Sequence, residues 1–312
     1  MKNSAAMIGA GLIGRAWAMV FARSGWNVRL YDSNPAQLAD ARAYIGPSLE
    51  EQQAAGLCDD AGAALARIQY VSALDAAVAR AQWIHEHLPE TVEHKRAMFA
   101  QFDRLAARDA VLASSTSAIP ASMFTEELAG RERCLVAHPV NPPHLVPVVE
   151  ICGAPWTAAE TIEHACGIMT AIGQVPVIVR REIDGFILNR LQGALLSEAM
   201  RLVEEGYVSP DDLDKTIKDG LGLRWSFMGP FETIELNAPG GVADYCARYS
   251  DFYRRLAADP PSPDVWTGGS VARVVASLGA PLSAEERYRR TRARDERLLA
   301  LRRHKIISSQ SE

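Results

Sequence analysis

Ala5-Ala6-Met7-Ile8-Gly9-Ala10-Gly11-Leu12-Ile13-Gly14 is the stretch on which the fold turns. Its first five residues have the character of a short apolar strand, and Gly9-x-Gly11-x-x-Gly14 follows at once. Beyond it, Ile13, Trp17, Val20, Phe21 and Ser24 recur at helical spacing, and a second strand over 26–31 ends at Asp32. A lone G-x-G-x-x-G is weak evidence. Here it follows a strand, opens a helix and is succeeded by an acid at the end of the next strand, which is the context a dinucleotide-binding turn requires. Gly9 allows the tight turn, Gly11 lets backbone approach a pyrophosphate, and Gly14 lets helix and strand pack closely. The anion would sit on the helix N-terminus, where unpaired N–H groups and the helix dipole favour negative charge. Asp32 would accept hydrogen bonds from ribose hydroxyls and repel a 2′-phosphate, which favours NAD over NADP. Such a cofactor would lie along Gly9, Gly11, Leu12, Ile13 and Gly14. The plainer alternative is a glycine-rich turn beside a solvated aspartate.

Outward from this turn, strand and helix patterns alternate. Residues 35–66 read as a helical hairpin broken around Gly56-Leu57-Cys58-Asp59. Strands return at 68–71 and 82–86 around a short Ala-rich helix, and Glu90 and Lys95 straddle the start of a helix over about 92–107. A strand at 110–113 feeds Ser114-Ser115-Thr116-Ser117. Hydroxyls at the C-terminal end of a parallel strand stand where ligands meet such sheets, although they serve equally as a helix cap. A further strand over 133–137 delivers His138, a corner stiffened by Pro139, Pro142, Pro143 and Pro147 turns the chain, and a second apolar run carries Glu150. Such a corner can hold an imidazole against a carboxylate, making a general base usable at neutral pH. A core histidine with an acceptor is the alternative. A helix at about 157–172 and a strand at 175–179 end the sheet.

There the period changes. Residues 184–205 read as one long, largely apolar helix stopping at Gly206, with Asp184-Gly185 as the hinge, and helices at about 210–219, 231–237, 240–257 and 266–276 follow. The expected fold is therefore α/β, an N-terminal Rossmann-type doubly wound sheet over 1–183 followed by an all-α C-terminal domain over 184–312. The long helix is apolar on more than one face, so burial by its own domain and by a partner subunit is expected. Segment 283–305 carries eight arginines interspersed with Glu285, Glu286, Asp295 and Glu296, and reads as a solvated helix packed on the domain through Leu298, Leu299 and Leu301.

Composition narrows the function classes. At 312 residues the chain exceeds one ordinary core, so two domains are the default. A hydrophobic content of 48% with 23% charged residues is that of a soluble globular enzyme. A net charge of −5 offers no general attraction for nucleic acid or an acidic membrane. Five widely spaced cysteines, with no C-x-x-C pair, fit reduced thiols in the cytoplasm and no metal site. No run approaches the ~20 apolar residues of a membrane span.

Taken in order, Gly9-x-Gly11-x-x-Gly14 with Asp32, Glu90…Lys95, Ser115-Thr116-Ser117, His138-x-x-Asn141-Pro142, Glu150, Gly185-Phe186-Ile187-Leu188-Asn189-Arg190 and Gly229-Pro230-Phe231-Glu232 resemble the L-3-hydroxyacyl-CoA dehydrogenase superfamily over nearly the whole chain. Within it, Ala137-His-Pro-Val-Asn-Pro-Pro143, the stretch 202–213 and the stretch 220–230 are closer to the L-gulonate 3-dehydrogenase (λ-crystallin) branch. The resemblance implies that His138 is the catalytic base, that Glu150 orients it, and that Ser117 and Asn189 hydrogen-bond the reacting oxygen. It further implies that Glu90, Lys95, Ser117 and Asn141 meet the NAD cofactor, and that the helical domains pair into a homodimer.

Two departures bear on substrate. The acyl-CoA enzymes carry a lysine-rich helix-turn-helix that meets CoA's phosphates; residues 35–70 here offer only Arg42 and Arg67 against Asp40, Glu50, Glu51, Asp59 and Asp60. Before Gly229-Pro230 this chain inserts Leu223-Arg224-Trp225-Ser226-Phe227, where a guanidinium could clamp a substrate carboxylate. A surface ion pair is the alternative for Arg224. The expected substrate is a small 3-hydroxy carboxylate, L-gulonate or a similar sugar acid. 3-Hydroxyacyl-CoA, L-carnitine (with Trp225, Phe227 and Tyr245 as aromatic faces) and a non-catalytic NAD(H)-binding structural role stay open.

Overall fold

A computed structural model describes residues 3–309. The first part of the chain runs β1 (Ser4–Ile8), α1 (Leu12–Arg23), β2 (Asn27–Tyr31), α2 (Pro35–Ala54), α3 (Ala61–Ala66), β3 (Ile68–Val71), α4 (Leu74–Val78) and β4 (Trp83–Glu86). It continues through α5 (Val92–Leu105), β5 (Val111–Ser114), α6 (Ser122–Thr125), β6 (Cys134–Pro139), β7 (Val148–Gly153), α7 (Ala159–Ala171) and β8 (Val175–Val179). The strands form one sheet of order β3-β2-β1-β4-β5-β6-β7-β8. All neighbours are parallel except β6 and β7, which form an antiparallel pair. Strand order reverses between β1 and β4, and that switch point is where a doubly wound sheet leaves a crevice at its carboxyl edge.

Helices cover both faces, which explains why β1 is apolar and buried at every position from Ala5 to Ile8 rather than at alternate ones. Ala5 and Met7 join one core with Trp17 and Phe21 of α1 and Ile45 of α2. Ala6 and Ile8 join the other with Phe99 and Phe102 of α5. Full burial of each such large side chain contributes roughly 1.5–3 kcal/mol. Local signals set the helix starts: Asn34 caps α2 by accepting from the Ala36 N–H at 3.0 Å, with Pro35 at the first helical position. Asp60 caps α3 and Thr91 caps α5 in the same way.

The chain separates into two compact units, one comprising the stretch up to Ile187 together with the chain from Glu286 onward, the other Leu188–Glu285. Among its described residues the second unit is helical: α8 (Leu188–Glu204), α9 (Pro210–Lys215), α10 (Gly222–Trp225), α11 (Pro230–Leu236), α12 (Gly241–Ala257) and α13 (Gly269–Leu278). A π-helical segment, Thr216–Leu221, joins α9 to α10. Trp266 donates from its indole to the Ser197 hydroxyl at 3.2 Å, tying the turn before α13 to α8.

Two features differ from the sequence expectation. The predicted helix over 184–205 begins only at Leu188, because Gly185 and Phe186 take positive φ of 74° and 48°. The arginine-rich helix α14 (Ala284–Ser309) groups from Glu286 onward with the first unit, not with 184–285. Arg292 forks onto the Glu51 carboxylate of α2, and Arg302 donates to the Gly173 carbonyl at 3.0 Å. Of its three leucines only Leu299 is buried; Leu298 is half-buried and Leu301 exposed.

Imidazoles held neutral by burial make this fold acid-sensitive, His85 and His144 foremost, with His87 likewise pulled well below its ordinary value. His85 on β4 is fully buried, and burial pulls it down to about 3 despite the hydrogen bond of Nε2 with the Ala137 carbonyl. His144 is pulled to about 3 by burial first and then by the charges of Arg23, Arg15 and Arg294. The unfolded chain takes up these protons near the ordinary histidine value of about 6.5, whereas the folded chain refuses them until far lower. Stability is therefore complete above about pH 6.5 and falls with decreasing pH, each imidazole contributing up to about 1.4 kcal/mol per pH unit. Urea midpoints measured from pH 7 to 5 should decline steeply, and His144→Gln should decline less steeply, since burial also holds His85 and His87 below their ordinary value. A wild-type midpoint that does not move across this range would contradict the burial of both rings.

Candidate active site

The three glycines of the turn after β1 answer to three different constraints. Gly9 has φ +106°, and a Cβ on it would stand 2.8 Å from the His87 carbonyl oxygen beyond β4. A Cβ on Gly14 would stand 1.8 Å from the Gly9 carbonyl oxygen. At Gly11 a Cβ would meet nothing within 4 Å, so the backbone there is open to close approach. Gly11 precedes α1 and no side chain caps that helix, leaving its first N–H groups for an anion. Asp32 Oδ2 accepts from the Ala10 N–H and Oδ1 from the Asn34 N–H, both at 2.8 Å, so the carboxylate is fixed at the end of β2 beside the turn. Leu12 is exposed and Ile13 half-buried at the helix start. An open backbone, an uncapped helix and a fixed acid fit a dinucleotide.

Across the switch point, the ends of β4 and β5 are cross-linked by side chains. His87 shares a hydrogen bond between Nδ1 and the Ser115 hydroxyl at 2.9 Å. Lys95 and Glu90, both expected against a cofactor, differ in their surroundings. The Lys95 ammonium is 1% exposed and lies 2.9 Å from Glu86 Oε2, 3.3 Å from Glu90 Oε2 and 3.3 Å from Ser114 Oγ. Glu90 is partly exposed; its Oε1 accepts from the Thr116 hydroxyl and from the N–H groups of Ser117 (2.9 Å) and Ala118 (3.2 Å). Burial pushes the Glu90 carboxyl up, but the Thr116 hydrogen bond, the Lys95 charge and the two N–H groups outweigh it and hold the group below its usual range. Sequence reasoning placed Thr116 only within the hydroxyl cluster and missed Glu86. The available signal was an acid ending an apolar strand nine residues before a lysine.

The antiparallel pairing of β6 with β7 sets His138 directly opposite Glu150. Both are buried, and His138 Nδ1 lies 2.8 Å from Glu150 Oε2. A carboxylate only accepts, so Nδ1 carries the proton and Nε2 is the nitrogen left to take another. Glu150 Oε1 accepts from the Ile187 N–H at 2.8 Å, and the buried Phe186 ring lies 5.5 Å from the imidazole, centroid to centroid. Phe186 has a positive φ that a bulky residue seldom adopts, and it takes this conformation where it covers the pair. Neither Phe186 nor the Ile187 N–H had a role assigned to it from the sequence.

Asn141 is exposed in the corner after β6. Asn189 lies in the first turn of α8 and Arg224 in α10, both in the second unit. Among the described residues no three His, Cys, Asp or Glu side chains are grouped to hold a metal ion. Among the same residues no helix is long and apolar enough to cross a membrane.

A doubly wound sheet with this glycine turn at its switch point, followed by a helical unit, defines an NAD-dependent dehydrogenase acting on a hydroxyl group. The chain belongs to the 3-hydroxyacyl-CoA dehydrogenase family: residues 4–183 match its NAD binding domain and 185–262 its C-terminal domain. It is 42% identical to lambda-crystallin of Oryctolagus cuniculus over 301 residues, covering 95% of this chain and 94% of that protein. It is 37% identical to the L-carnitine dehydrogenase of a Pseudomonas species over 300 residues, covering 95% and 92%. Among solved structures it resembles FHMPC 5-dehydrogenase, an NAD+ dependent dismutase, with a TM-score of 0.85 at 28% identity, covering 97% and 98% of the two chains.

Proposed function

We propose that the protein oxidises the 3-hydroxyl of a small hydroxy carboxylate, L-gulonate to 3-dehydro-L-gulonate, with His138 and Glu150 as its acid–base pair. The observation that carries the chemistry is the buried 2.8 Å contact between His138 Nδ1 and Glu150, which leaves Nε2 as the base. Bound NAD+ supplies the acceptor for the hydride. His138 Nε2 takes the hydroxyl proton from the oxygen on the same carbon, and Glu150 stabilises the imidazolium that results. Ser117 and Asn189 hydrogen-bond the reacting oxygen, and Glu90, Lys95, Ser117 and Asn141 meet the nicotinamide half of the cofactor. Asp32 selects the unphosphorylated ribose.

The sugar-acid reading over acyl-CoA draws on the surface of α2 and α3. Its two cations are engaged elsewhere: the Arg42 guanidinium stacks 4.4 Å from the Tyr70 ring centroid, and Arg67 donates to the Ala22 carbonyl at 3.4 Å. Arg224, exposed on α10, is proposed to clamp the substrate carboxylate. The L-carnitine reading has its own support in the Tyr245, Tyr249 and Tyr253 cluster of α12, whose rings could face a trimethylammonium. NADH appearance with L-gulonate, 3-hydroxybutyrate, L-carnitine and 3-hydroxybutyryl-CoA decides among these. L-gulonate should give the highest kcat/KM, and Arg224→Met should raise its KM by about 10- to 100-fold, the worth of a charged bidentate contact. Unchanged L-gulonate kinetics in that variant would remove the clamp; turnover with none of the four would favour the structural role.

Exposed Leu191 and Leu195 of α8 and Phe231 and Leu236 of α11 support a homodimer formed through the second unit. The cysteines are free thiols, which supports a cytoplasmic location.

A further inference from the structure

We infer that Arg23 and Arg302 form a site for a small dianionic oxyanion, phosphate or a phosphate monoester, at the opposite end of α1 from the dinucleotide turn. The site is independent of the proposed substrate. Both guanidiniums are half-buried and line one cavity of about 320 Å³, the size of a small-ligand pocket. Its walls come from three distant parts of the first unit. Arg23 ends α1, Gly173 follows α7, and Arg302 and Ile306 lie on α14.

The two arginines have charge and donors to offer. Arg292, on the same helix as Arg302, forks onto Glu51, whereas among the described residues neither Arg23 nor Arg302 is ion-paired. An arginine carries five N–H donors in a fixed fork. Arg23 Nη1 donates to Gln52 Oε1 at 2.6 Å and to the His144 carbonyl at 3.0 Å, which engages both of its hydrogens. Nε and Nη2 form the other edge of the fork, the edge that grips two oxygens side by side. Arg302 donates from Nη2 to the Gly173 carbonyl at 3.0 Å, so every acceptor on the pair is neutral. Burial, and then the charge of Arg302, pushes the Arg23 guanidinium down to about 10, so at pH 7 two cations still repel across the cavity. A dianion between them turns that repulsion into two attractions. Capping of a helix C-terminus is the plainer role for such cations. It accounts for Arg302 beside the end of α7, but Arg23 donates to a loop carbonyl and a side chain, not to the end of its own helix. Asp59 stands in the same wall, pairs with neither arginine and opposes the anion. Because one guanidinium belongs to α14, a bound anion also fastens α14 to α1.

The test titrates inorganic phosphate into the full-length protein at constant ionic strength, with NADH present to fill the dinucleotide turn. Calorimetry should give a dissociation constant on the order of 1 mM or tighter, and sodium chloride should give no binding. Phosphate should slow amide hydrogen exchange across 56–59, 171–174 and 300–307, the walls of the cavity. Arg302→Gln should weaken binding at least about ten-fold, the worth of a charged hydrogen-bonded contact. Arg302→Lys keeps the charge without the fork and should weaken it by about three- to ten-fold. Asp59→Asn should tighten binding about two- to five-fold by removing a like charge. Glycerol 3-phosphate binding more tightly than phosphate would make the occupant a phosphorylated metabolite, and equal or weaker binding would make it inorganic phosphate; either result requires the site. No saturable phosphate binding below about 20 mM overturns the inference, as does slowed exchange confined to 9–15 or 114–118. Unchanged affinity in Arg302→Gln does the same. If that variant frees α14, seen as faster exchange across 286–299, Asp59→Asn decides alone, and unchanged affinity there is equally fatal.

Discussion

His138→Ala is expected to lower kcat by about two to four orders of magnitude, the usual worth of a positioned acid–base group. NADH affinity should stay within a few-fold of wild type, because the dinucleotide turn stands on β1 and α1 whereas His138 ends β6. Glu150→Gln should cost less, about ten- to a hundred-fold. A carboxamide can still accept from Nδ1–H, but it brings no charge to offset the imidazolium. It also tests the link to Phe186, since Glu150 Oε1 receives the Ile187 N–H. The measurement is steady-state turnover with stopped-flow hydride transfer on the best substrate. Turnover within three-fold of wild type in His138→Ala would sink the acid–base assignment, whatever the substrate proves to be.

Gly14→Ala should be the most damaging single methyl in the first unit. The added Cβ would fall 1.8 Å from the Gly9 carbonyl oxygen, and a backbone atom cannot rotate away as a side chain can. Either α1 moves off the sheet or the turn opens. Overpacking of this kind costs about 1–3 kcal/mol and more where backbone must shift, so both the thermal midpoint and NADH binding should fall. Gly11→Ala is the matched control. Its Cβ meets no protein atom within 4 Å, so the variant should fold with a near-native midpoint. It should nevertheless bind NADH at least about ten-fold more weakly, since the methyl occupies the space a diphosphate needs. Equal NADH affinity in Gly11→Ala and wild type would place the diphosphate elsewhere; a native midpoint in Gly14→Ala would mean the turn has slack that this packing does not show.

The dinucleotide turn was legible because it is local. Gly9, Gly11, Gly14 and Asp32 lie within one strand-turn-helix-strand unit; Gly9 and Gly14 answer steric demands set by the turn itself and by His87 just beyond the adjacent strand, while Gly11 leaves the backbone open. His138 and Glu150 were legible as candidates, but their pairing depends on the register of β6 with β7. A slip of one residue would turn one of them to the opposite face. The stretch 184–187 was misread for a physical reason. Its apolar residues run continuously into α8, so the helical pattern extends back through them. Gly185 and Phe186 adopt positive φ instead, where the Phe186 ring packs on His138 and the Ile187 N–H meets Glu150. The burial of Lys95 was not legible, because an exposed lysine and a buried one look alike in sequence; only the positions of Glu86, Glu90 and Ser114 reveal the carboxylates and the hydroxyl packed around it.

By itself the sequence determined the alternation of strand and helix, the cofactor class and the residue types the chemistry needs, because hydrophobic period and glycine placement act over a few residues. Tertiary structure alone decided which imidazole nitrogen Glu150 engages, which lysine is buried against a carboxylate and to which unit α14 belongs. Those outcomes depend on contacts between residues far apart in the chain, such as Arg292 with Glu51, where burial and register choose the partner.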